Sequence, residues 1–370
     1  MQKILVTGGA GFIGSHLVDR LVSEGNDVVV LDNFDPQVHQ GKRPEYLNKN
    51  VRYVTGDVRD EKAVGDAIKG VDVVFHLAAK VGVGQSMYEI KEYVGANVYG
   101  TATLWDYIIN EGCGIKKFIV ASSMSIYGEG AYKCARCGMV APYLREEKNL
   151  KARVWDVFCP GCGGILAALP TGEDKKLLST SVYAITKKDQ EETSLNIGIS
   201  YKIPTVALRF FNVYGPRQAL SNPYTGACAI FSSRIKNGNP PLIYEDGMQT
   251  RDFINVADIV QACVLVMNNT KADYSFFNVG TGRPVTIKEV AETLIRLYKK
   301  DLAPEIASRY RVGDIRHCCA DISKIKKIGF EPRVDLEKGL KELVEWGKKS
   351  AASDDIIKAD QELERRRLKI

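Results

Sequence analysis

The 370-residue sequence has no run of 18 or more apolar residues, and it therefore predicts no transmembrane helix. It has no long basic run with interleaved aromatic residues, which argues against nucleic acid as a partner. Residues 1–6 have the pattern of a strand that runs into a functional loop, not of a secretory leader, so we expect a soluble cytoplasmic protein. The formal net charge of +6 is spread along the chain and suits an anionic small-molecule ligand.

The nine cysteines do not indicate a disulfide framework, because their number is odd and the expected compartment is reducing. Five of them have no ligand spacing and are interpreted as ordinary core or surface thiols: Cys113, Cys228, Cys263, Cys318 and Cys319.

The other four cysteines form two Cys-x-x-Cys pairs, Cys134/Cys137 and Cys159/Cys162, and a glycine follows each pair. Four thiolates in two knuckle-like turns match a structural zinc site, with iron–sulfur or metal-free thiols as alternatives. A redox pair would need a helix N-terminus or a strongly depressed thiol pKa, and the sequence indicates neither. Four protein ligands leave no open position, so we expect this metal to be structural.

Apolar strand-like segments alternate with amphipathic helical patterns over residues 1–125. This alternation predicts an α/β fold with a Rossmann-like, doubly wound parallel sheet. The strand-like segments are Ile4–Thr7, Asp27–Leu31, Val51–Val54, Val71–Leu77 and Lys117–Ser122, and a later helix at about 181–197 is followed by a strand at Thr205–Phe210.

The pattern divides the chain into four parts. Residues 1–128 and 171–215 form the predicted dinucleotide-binding domain, and residues 129–170, with both cysteine pairs, form an insertion. Residues 216–350 are mixed and loop-rich and predict a smaller substrate-binding lobe with some return to the sheet. Residues 351–370 are highly charged, and we interpret them as a solvated helix or a frayed tail.

A glycine-rich loop with Gly8, Gly11 and Gly14 joins the first strand to the first helix. Such glycines allow close approach to a pyrophosphate, and the helix N-terminus supplies free N–H groups; a purely structural turn is the alternative. Asp32 closes the second strand, where an acid bonds a ribose 2′-hydroxyl and repels a 2′-phosphate, so NAD is favoured over NADP. Asp57 follows the third strand and is placed to reach the adenine. For both Asp32 and Asp57 the alternative is a structural role, in which the carboxylate caps a helix or turn.

Tyr183 and Lys187 lie at positions i and i+4 of a predicted helix and so share one face. A lysine ammonium and the positive nicotinamide ring together lower a tyrosine pKa, and they make the phenolate a base for an alcohol that loses hydride. A surface pair is the alternative. Ser122 and Ser123 end a predicted parallel strand, where ligands of open α/β sheets bind, and a serine there can bond both a substrate oxygen and the tyrosine.

These features, with the segments Leu77–Ala79, Arg209–Arg217, Gly247–Phe253 and Arg311–Asp314, resemble the extended short-chain dehydrogenase/reductase family of sugar-nucleotide enzymes. The resemblance covers residues 1–345 apart from the insertion. It implies that Ser123, Tyr183 and Lys187 are catalytic, that the cofactor is NAD and that the substrate is a nucleotide-diphosphate sugar. Family members usually pair through the helices that flank the sheet, so we also expect a homodimer.

The resemblance also implies the binding residues. The expected NAD contacts are Gly8, Gly11, Phe12, Ile13, Gly14, Asp32, Asn33, Asp57, Val58, Leu77, Ala78, Ala79, Asn97, Ser122, Tyr183, Lys187 and Phe210. The expected substrate contacts are Gln85, Ser86, Ser123, Asn212, Tyr244, Arg251, Arg311 and Asp314; among them Asn212, Arg251 and Arg311 would hold the diphosphate and Asp314 the nucleoside ribose.

Dehydratases of the family usually have an Asp-Glu pair after the catalytic hydroxyl residue, and its decarboxylases typically keep the Glu. Met124 and Ser125 stand there in this sequence, and neither is a general acid or base. The resemblance therefore implies epimerisation at carbon 4. The segments Ala219–Ala227 and Ile230–Arg234, together with the insertion, are similar to dTDP-L-rhamnose 4-epimerases. UDP-glucose/galactose or UDP-uronate 4-epimerases are the alternative, and a non-catalytic NAD-sensing regulator is the remote one.

Overall fold

The structure is a computed structural model that describes residues 1–311, 313–350 and 352–368. Val312 of the Arg311–Asp314 segment and Ala351, Lys369 and Ile370 of the predicted tail lie outside the described residues.

Seventeen strands are present in the described residues. Their bounds are β1 Lys3–Thr7, β2 Asp27–Asp32, β3 Arg52–Thr55, β4 Val73–His76, β5 Lys117–Ser123, β6 Ala131–Cys134, β7 Gly138–Val140, β8 Ala167–Leu169, β9 Thr205–Phe210, β10 Asn212–Tyr214, β11 Leu242–Ile243, β12 Thr250–Arg251, β13 Phe253–Asn255, β14 Ser275–Val279, β15 Val285–Thr286, β16 Glu305–Ile306 and β17 His317–Cys318.

The helices of the described residues are α1 Phe12–Ser23, α2 Pro36–His39, α3 Glu61–Ile68, α4 Val83–Ser86, α5 Ile90–Tyr93, α6 Gly100–Asn110, α7 Glu147–Lys151, α8 Val182–Tyr201, α9 Ala227–Lys236, α10 Val256–Met267, α11 Ile287–Tyr298, α12 Ser323–Lys326, α13 Leu336–Lys349 and α14 Ile356–Arg365. A π-helical turn covers Val94–Tyr99, and 3₁₀ turns cover Met124–Tyr127 and Thr270–Ala272. Every described helix is too short or too polar to cross a lipid bilayer.

Seven strands form one sheet in the order β14-β9-β5-β4-β1-β2-β3, and every neighbouring pair is parallel. The strands read as nearly continuous apolar runs because helices cover both faces. Ile4 and Val6 of β1 pack in one core cluster, whereas Leu5 packs in the cluster on the opposite face. The predicted doubly wound parallel sheet is confirmed, with strand bounds that differ from the expectation by one or two residues.

Beyond residue 215 the chain builds a second layer with its own core. Helices α9, α11 and α13 contribute most of the third apolar cluster, which includes Phe231, Leu294 and Leu343. Strand β14 of this part returns to the edge of the main sheet and pairs with β9. The insertion forms a separate antiparallel sheet of β7, β6 and β8, with a small core around Tyr132 and Leu166.

The C-terminal segment is not solvated on all sides, contrary to the expectation from its charge. Helix α14 buries Ile356, Ala359, Asp360 and Leu363, which recur at i, i+3, i+4 and i+7 and so share one face. Ile356, Ala359 and Leu363 pack this face on the body of the protein, Asp360 is buried beside them, and the other charged residues occupy the remaining surface.

Candidate active site

A cavity of about 630 Å³ opens at the carboxyl ends of the main-sheet strands, where ligands of doubly wound folds bind. Most of the predicted site residues line it. They are Gly8, Gly11, Phe12, Ile13, Gly14, Asp32, Asn33, Asp57, Val58, Leu77, Ala78, Ala79, Gln85, Ser122, Ser123, Tyr183, Lys187, Phe210, Asn212, Arg251, Arg311 and Asp314. The structure therefore brings most of the predicted cofactor, catalytic and substrate residues to one cavity.

Three predicted residues of the described chain, Ser86, Asn97 and Tyr244, lie behind this lining. The Ser86 hydroxyl donates to the carbonyl of Val83 (2.6 Å), within helix α4. The Asn97 amide accepts from the Lys80 N–H (2.7 Å) and donates to the Lys80 carbonyl, so it fixes the loop after β4. The observed hydrogen bonds of Ser86 and Asn97 hold the segments that line the cavity.

The glycine loop turns directly from β1 into α1. Gly8 has φ +70°, and a Cβ atom there would lie 2.8 Å from the backbone nitrogen of Ala78. A Cβ on Gly14 would overlap the carbonyl oxygen of Gly8. Both glycines are thus required by the backbone packing itself, and that packing presents the N-terminus of α1 to the cavity.

Asp32 ties this loop to the end of β2. Its carboxylate accepts from the Ala10 N–H (2.9 Å) and from the Phe34 N–H (2.9 Å), one bond to each oxygen. The Nε2 atom of His39 lies 3.7 Å away, and burial lowers the pKa of His39 despite the nearby carboxylate. His39 also lines the cavity, although nothing in the sequence pattern had singled it out.

Asp57 is engaged by two side chains at the rim of the cavity. It accepts from the Arg59 guanidinium (2.8 and 2.9 Å) and from the Asn33 amide (3.1 Å). The backbone N–H of Arg59 adds a further bond, which corresponds to the capping alternative. Asp57 and Asn33 therefore form one polar corner beside the glycine loop.

The expected catalytic residues meet between β5 and α8. Ser123 ends β5, and Tyr183 and Lys187 are buried in the first two turns of α8, where Ser181 caps the helix by accepting from the Ala184 N–H (3.1 Å). Burial raises the pKa of Tyr183, and a hydrogen bond with Ser123 opposes that rise. Burial also lowers the pKa of Lys187 to about 7, against the opposing charge of Glu191.

A buried hydrogen-bonded chain connects the lysine to the glycine loop. The Lys187 ammonium donates to Gln190 (2.7 Å), and the Gln190 amide lies 3.2 Å from Nε2 of His76. The Nδ1 atom of His76 lies 2.8 Å from the Thr7 hydroxyl, next to Gly8. Burial lowers the pKa of His76 to about 3, so the imidazole is neutral at pH 7.

The opposite end of the cavity is rich in arginine. The Arg311 guanidinium stacks over the Tyr244 ring (4.2 Å) and donates to its hydroxyl (3.0 Å). The Arg251 guanidinium donates to the carbonyls of Ile315 (2.6 Å) and Arg316 (3.1 Å), so it holds the loop that carries Asp314. Arg251 is consequently more occupied by the backbone than a free phosphate-binding fork would be.

Five residues that line this cavity have a buried polar atom with no hydrogen-bond partner within the described ranges: Nδ1 of His39, the Ser122 hydroxyl oxygen, the amide oxygens of Asn212 and Gln218, and Nε of Arg311. Burying a polar atom without a partner is costly, and such atoms at a cavity wall are suited to a polar ligand.

Helix α14 supplies part of the cavity wall that sequence reasoning missed. Ala359, Leu363 and Leu368 line the cavity, and Leu363 lies against Gly84. Asp360 approaches Arg311 (3.5 Å) and bonds the Tyr244 hydroxyl. The sequence predicts a solvated helix or a frayed tail here, and the i, i+3, i+7 spacing of Ile356, Ala359 and Leu363 is the signal that the helix has a packed face.

The four predicted cysteine ligands converge at the tip of the insertion. Their sulfur atoms all lie within 4.8 Å of one another, and Cys134 and Cys162 are 3.4 Å apart. Backbone N–H groups of Cys137 and Arg136 lower the pKa of Cys134 to about 6. Four sulfurs bound 2.3 Å from one zinc ion are separated by about 3.8 Å, so this spacing fits a metal.

A doubly wound sheet, a glycine loop and a buried serine–tyrosine–lysine set together define a dinucleotide-dependent enzyme of the short-chain dehydrogenase/reductase type. Comparison with known proteins agrees. Residues 4–145 match the NAD dependent epimerase/dehydratase family, and residues 163–343 match the family described as GDP-mannose 4,6 dehydratase.

Among curated proteins, the chain is 36% identical to dTDP-L-rhamnose 4-epimerase of Burkholderia thailandensis, over 93% of this chain and 94% of the relative. Among solved structures, UDP-glucose 4-epimerase of Thermotoga maritima with UDP-glucose has a TM-score of 0.77 and 33% identity, over 94% of this chain and 99% of that one. UDP-glucose 4-epimerase of Thermus thermophilus, a complex with NAD, has a TM-score of 0.75 and 29% identity, over 94% and 100%. The chain belongs to the NAD-dependent epimerase/dehydratase family of nucleotide-sugar enzymes.

Proposed function

We propose that the protein is an NAD-dependent nucleotide-sugar 4-epimerase that interconverts dTDP-L-rhamnose and dTDP-6-deoxy-L-talose. The observation that carries the reaction class is the meeting of Ser123, Tyr183 and Lys187 in a cavity that has a glycine loop at one end and Arg311 at the other. Met124 and Ser125, beside Ser123, supply no acid or base for eliminating water or assisting a decarboxylation. Oxidation and reversal at one carbon is the chemistry that remains.

The residues present fit NAD. The N-terminus of α1 faces the cavity for a pyrophosphate, and the Ser122 hydroxyl oxygen has no partner within the described chain. Each Asp32 oxygen uses one lone pair on the backbone and keeps another for a ribose hydroxyl. Bound NAD⁺ supplies the acceptor for the hydride that leaves carbon 4 and returns it to the opposite face.

The chain's own residues move the proton. Tyr183 takes the proton of the sugar 4-hydroxyl, and Ser123 holds the same oxygen and the tyrosine by hydrogen bonds. Because burial raises the pKa of Tyr183, the phenolate needs positive charge beside it. Lys187, one helical turn on, contributes that charge in its protonated form, which competes with the neutral amine near pH 7 because burial lowers its pKa to about 7. After the 4-keto sugar turns over in the cavity, Tyr183 returns the proton to the inverted alcohol.

The arginine-rich end suits the nucleotide. Arg311 keeps a buried Nε donor without a partner in the described residues, and such a donor fits a diphosphate oxygen. The buried Asn212 atom without a partner there is the amide oxygen, an acceptor, so only the amide N–H₂ group of Asn212 could donate to the diphosphate. We assign Asp314 to the nucleoside ribose, and Arg251 holds the adjoining loop while Tyr244 supports the Arg311 guanidinium. Gln85 lines the cavity and is assigned to the sugar, with Ser86 behind it in the same helix α4. The rhamnose assignment is supported by the relative from Burkholderia thailandensis; a UDP-hexose or UDP-uronate substrate is the alternative, supported by the solved UDP-sugar epimerases.

A substrate panel distinguishes these alternatives. Purified protein with NAD⁺ is incubated separately with dTDP-L-rhamnose, UDP-glucose and UDP-glucuronate, and the products are identified by NMR. We expect inversion at carbon 4 of dTDP-L-rhamnose. Conversion of only a UDP-sugar would overturn the substrate assignment, and absence of any conversion while NAD still binds would favour the sensor alternative.

We also propose zinc as a structural ligand of Cys134, Cys137, Cys159 and Cys162. The insertion has a core of only a few apolar residues, so a metal would contribute much of its stability.

We propose a homodimer as well. It is supported by large apolar side chains that are exposed around α5 and α8, including Val94, Tyr99 and Ile185. The cytoplasmic location stays a prediction from the sequence.

A further inference from the structure

A cluster of buried charges connects the cysteine-containing insertion to the arginine-rich end of the cavity. We call it the charge cluster and define it as Glu129, Arg145, Glu245, Asp246 and Arg316. The side chains of Glu129, Arg145, Glu245 and Arg316 are at most 7% exposed, and Asp246 is partly exposed. None of these five residues has a role in the proton transfers proposed above.

Arg145 is the cation that the insertion contributes. Its guanidinium forms two hydrogen bonds with the Glu245 carboxylate (2.6 and 2.9 Å), and it approaches Glu129 at 3.7 Å. It also donates to the backbone carbonyl of Asp314 (3.0 Å) and to that of Trp155 (3.3 Å), which belongs to the insertion. One side chain thus joins the insertion to the loop that carries Asp314.

The same loop is fixed from the cavity side by Arg251, which donates to the carbonyls of Ile315 and Arg316. Glu245, the main partner of Arg145, directly follows Tyr244, on which the Arg311 guanidinium stacks. Outside the insertion, Arg145 therefore hydrogen-bonds to Asp314, a residue of the proposed nucleotide site, and to Glu245, which adjoins Tyr244.

The electrostatics explain why the loop depends on this cation. Glu129 and Glu245 are buried carboxylates that both approach Arg145, and Arg316 donates to the Glu245 oxygen Oε2 (3.0 Å) that also accepts from Arg145. Removing one member of a buried ion pair leaves an uncompensated charge, which the protein relieves by moving backbone or admitting water. The carbonyl of Asp314 would lose its donor in the same change.

We propose that Arg145 is a positioning residue through which the four-cysteine insertion sets the affinity of the nucleotide site. This inference rests on the proposed function, since it presumes that the arginine-rich end binds a nucleoside diphosphate. The glycine loop shares no contact with Arg145 among the described residues, so NAD affinity is expected to be independent of it.

The test is isothermal titration of dTDP, UDP and NAD⁺ into the wild type, Arg145→Met, Arg145→Lys and the matched control Arg153→Met, an exposed arginine of the same insertion. We expect Arg145→Met to weaken nucleotide binding at least about fivefold, as for a coupling between sites, with NAD⁺ binding unchanged. Arg145→Lys keeps the positive charge but not the pair of hydrogen bonds to Glu245, so its affinity for dTDP should lie between those of the wild type and Arg145→Met. In turnover, KM for the nucleotide-sugar should rise while kcat changes little.

A double-mutant comparison tests whether the insertion acts through Arg145. Cys137→Ser should weaken dTDP binding in the wild-type background and have little further effect in the Arg145→Lys background. Equal nucleotide affinity for the wild type, Arg145→Met and Arg145→Lys would overturn the inference, and so would an equal effect of Cys137→Ser in both backgrounds. If the wild type bound neither dTDP nor UDP, the proposed function itself would fail instead.

Discussion

Replacing Tyr183 by phenylalanine removes one hydroxyl group and leaves the buried ring in place. The ring packs edge-on against Tyr93 at 6.4 Å between centroids, and phenylalanine keeps that contact. What is lost is the hydrogen bond with Ser123, worth about 1 kcal/mol of stability, and the group proposed to carry the proton. We therefore expect a folded protein that binds NAD normally.

Loss of acid–base catalysis typically costs about 10²- to 10⁴-fold in rate, or roughly 3–5 kcal/mol of transition-state stabilisation. The assay follows epimer formation by NMR under saturating NAD⁺ and nucleotide-sugar, with NAD⁺ affinity measured by titration. The matched control is Tyr127→Phe, which removes a buried hydroxyl bonded to Asn278 (2.7 Å) and lies outside the cavity lining. It should lower stability and leave turnover nearly intact. Turnover of Tyr183→Phe within about threefold of wild type would refute the reasoning, because that change is far below the range for acid–base catalysis.

Further predictions follow from other parts of the structure. The Asp32 carboxylate should make NAD⁺ bind at least tenfold better than NADP⁺, which is roughly the effect of one unfavourable charge contact with the 2′-phosphate. Asp32→Asn should reduce this difference in affinity. Equal affinities of the wild type for the two cofactors would contradict the role of Asp32. Elemental analysis should find about one zinc per chain, and removal of the metal by a chelator should make residues 129–170 sensitive to protease. Protein that is purified without metal and resists protease as well after chelator treatment as before would contradict the zinc assignment. Because the pKa of His76 is about 3 in the folded protein and the ordinary value is 6.5, the unfolded state binds one more proton between these pH values. The free energy of unfolding should fall by about 1.4 kcal/mol per pH unit as pH drops through this window, and His76→Asn should remove that part of the slope in urea titrations at several pH values. Light scattering at micromolar concentration should give the mass of a dimer, and a monomer mass would count against the pairing through α5 and α8.

The parallel sheet was predictable because its strands carry continuous apolar runs separated by helical patterns, which is a local signal. The edge strand β14 was not singled out, since Ser275–Val279 follows a long mixed segment and is defined by pairing with β9, a non-local contact. The convergence of the glycine loop, Ser123, Tyr183 and Lys187 followed from topology, because parallel strands end at one edge.

Other features depend on contacts between distant parts of the chain. Asp32 was expected to face the ribose, but its backbone bonds to Ala10 and Phe34 arise only when the loop closes over β2. Arg145 and Glu245 are separated by 100 positions, and each alone has the pattern of an ordinary surface charge. For the C-terminal segment a helix was one of the two expectations, but its packing was missed, because the high charge obscured the apolar face that α14 packs beside the cavity.

The central claim is that configuration at carbon 4 is inverted by removal and return of the same hydrogen. The most direct measurement is incubation of dTDP-L-rhamnose with the protein and NAD⁺ in D₂O, followed by proton NMR of the sugar. We expect the carbon-4 epimer with ordinary hydrogen still at carbon 4, because the hydride never exchanges with solvent. Deuterium at carbon 4, or deuterium at carbon 3 or 5 with a product other than the 4-epimer, would contradict it.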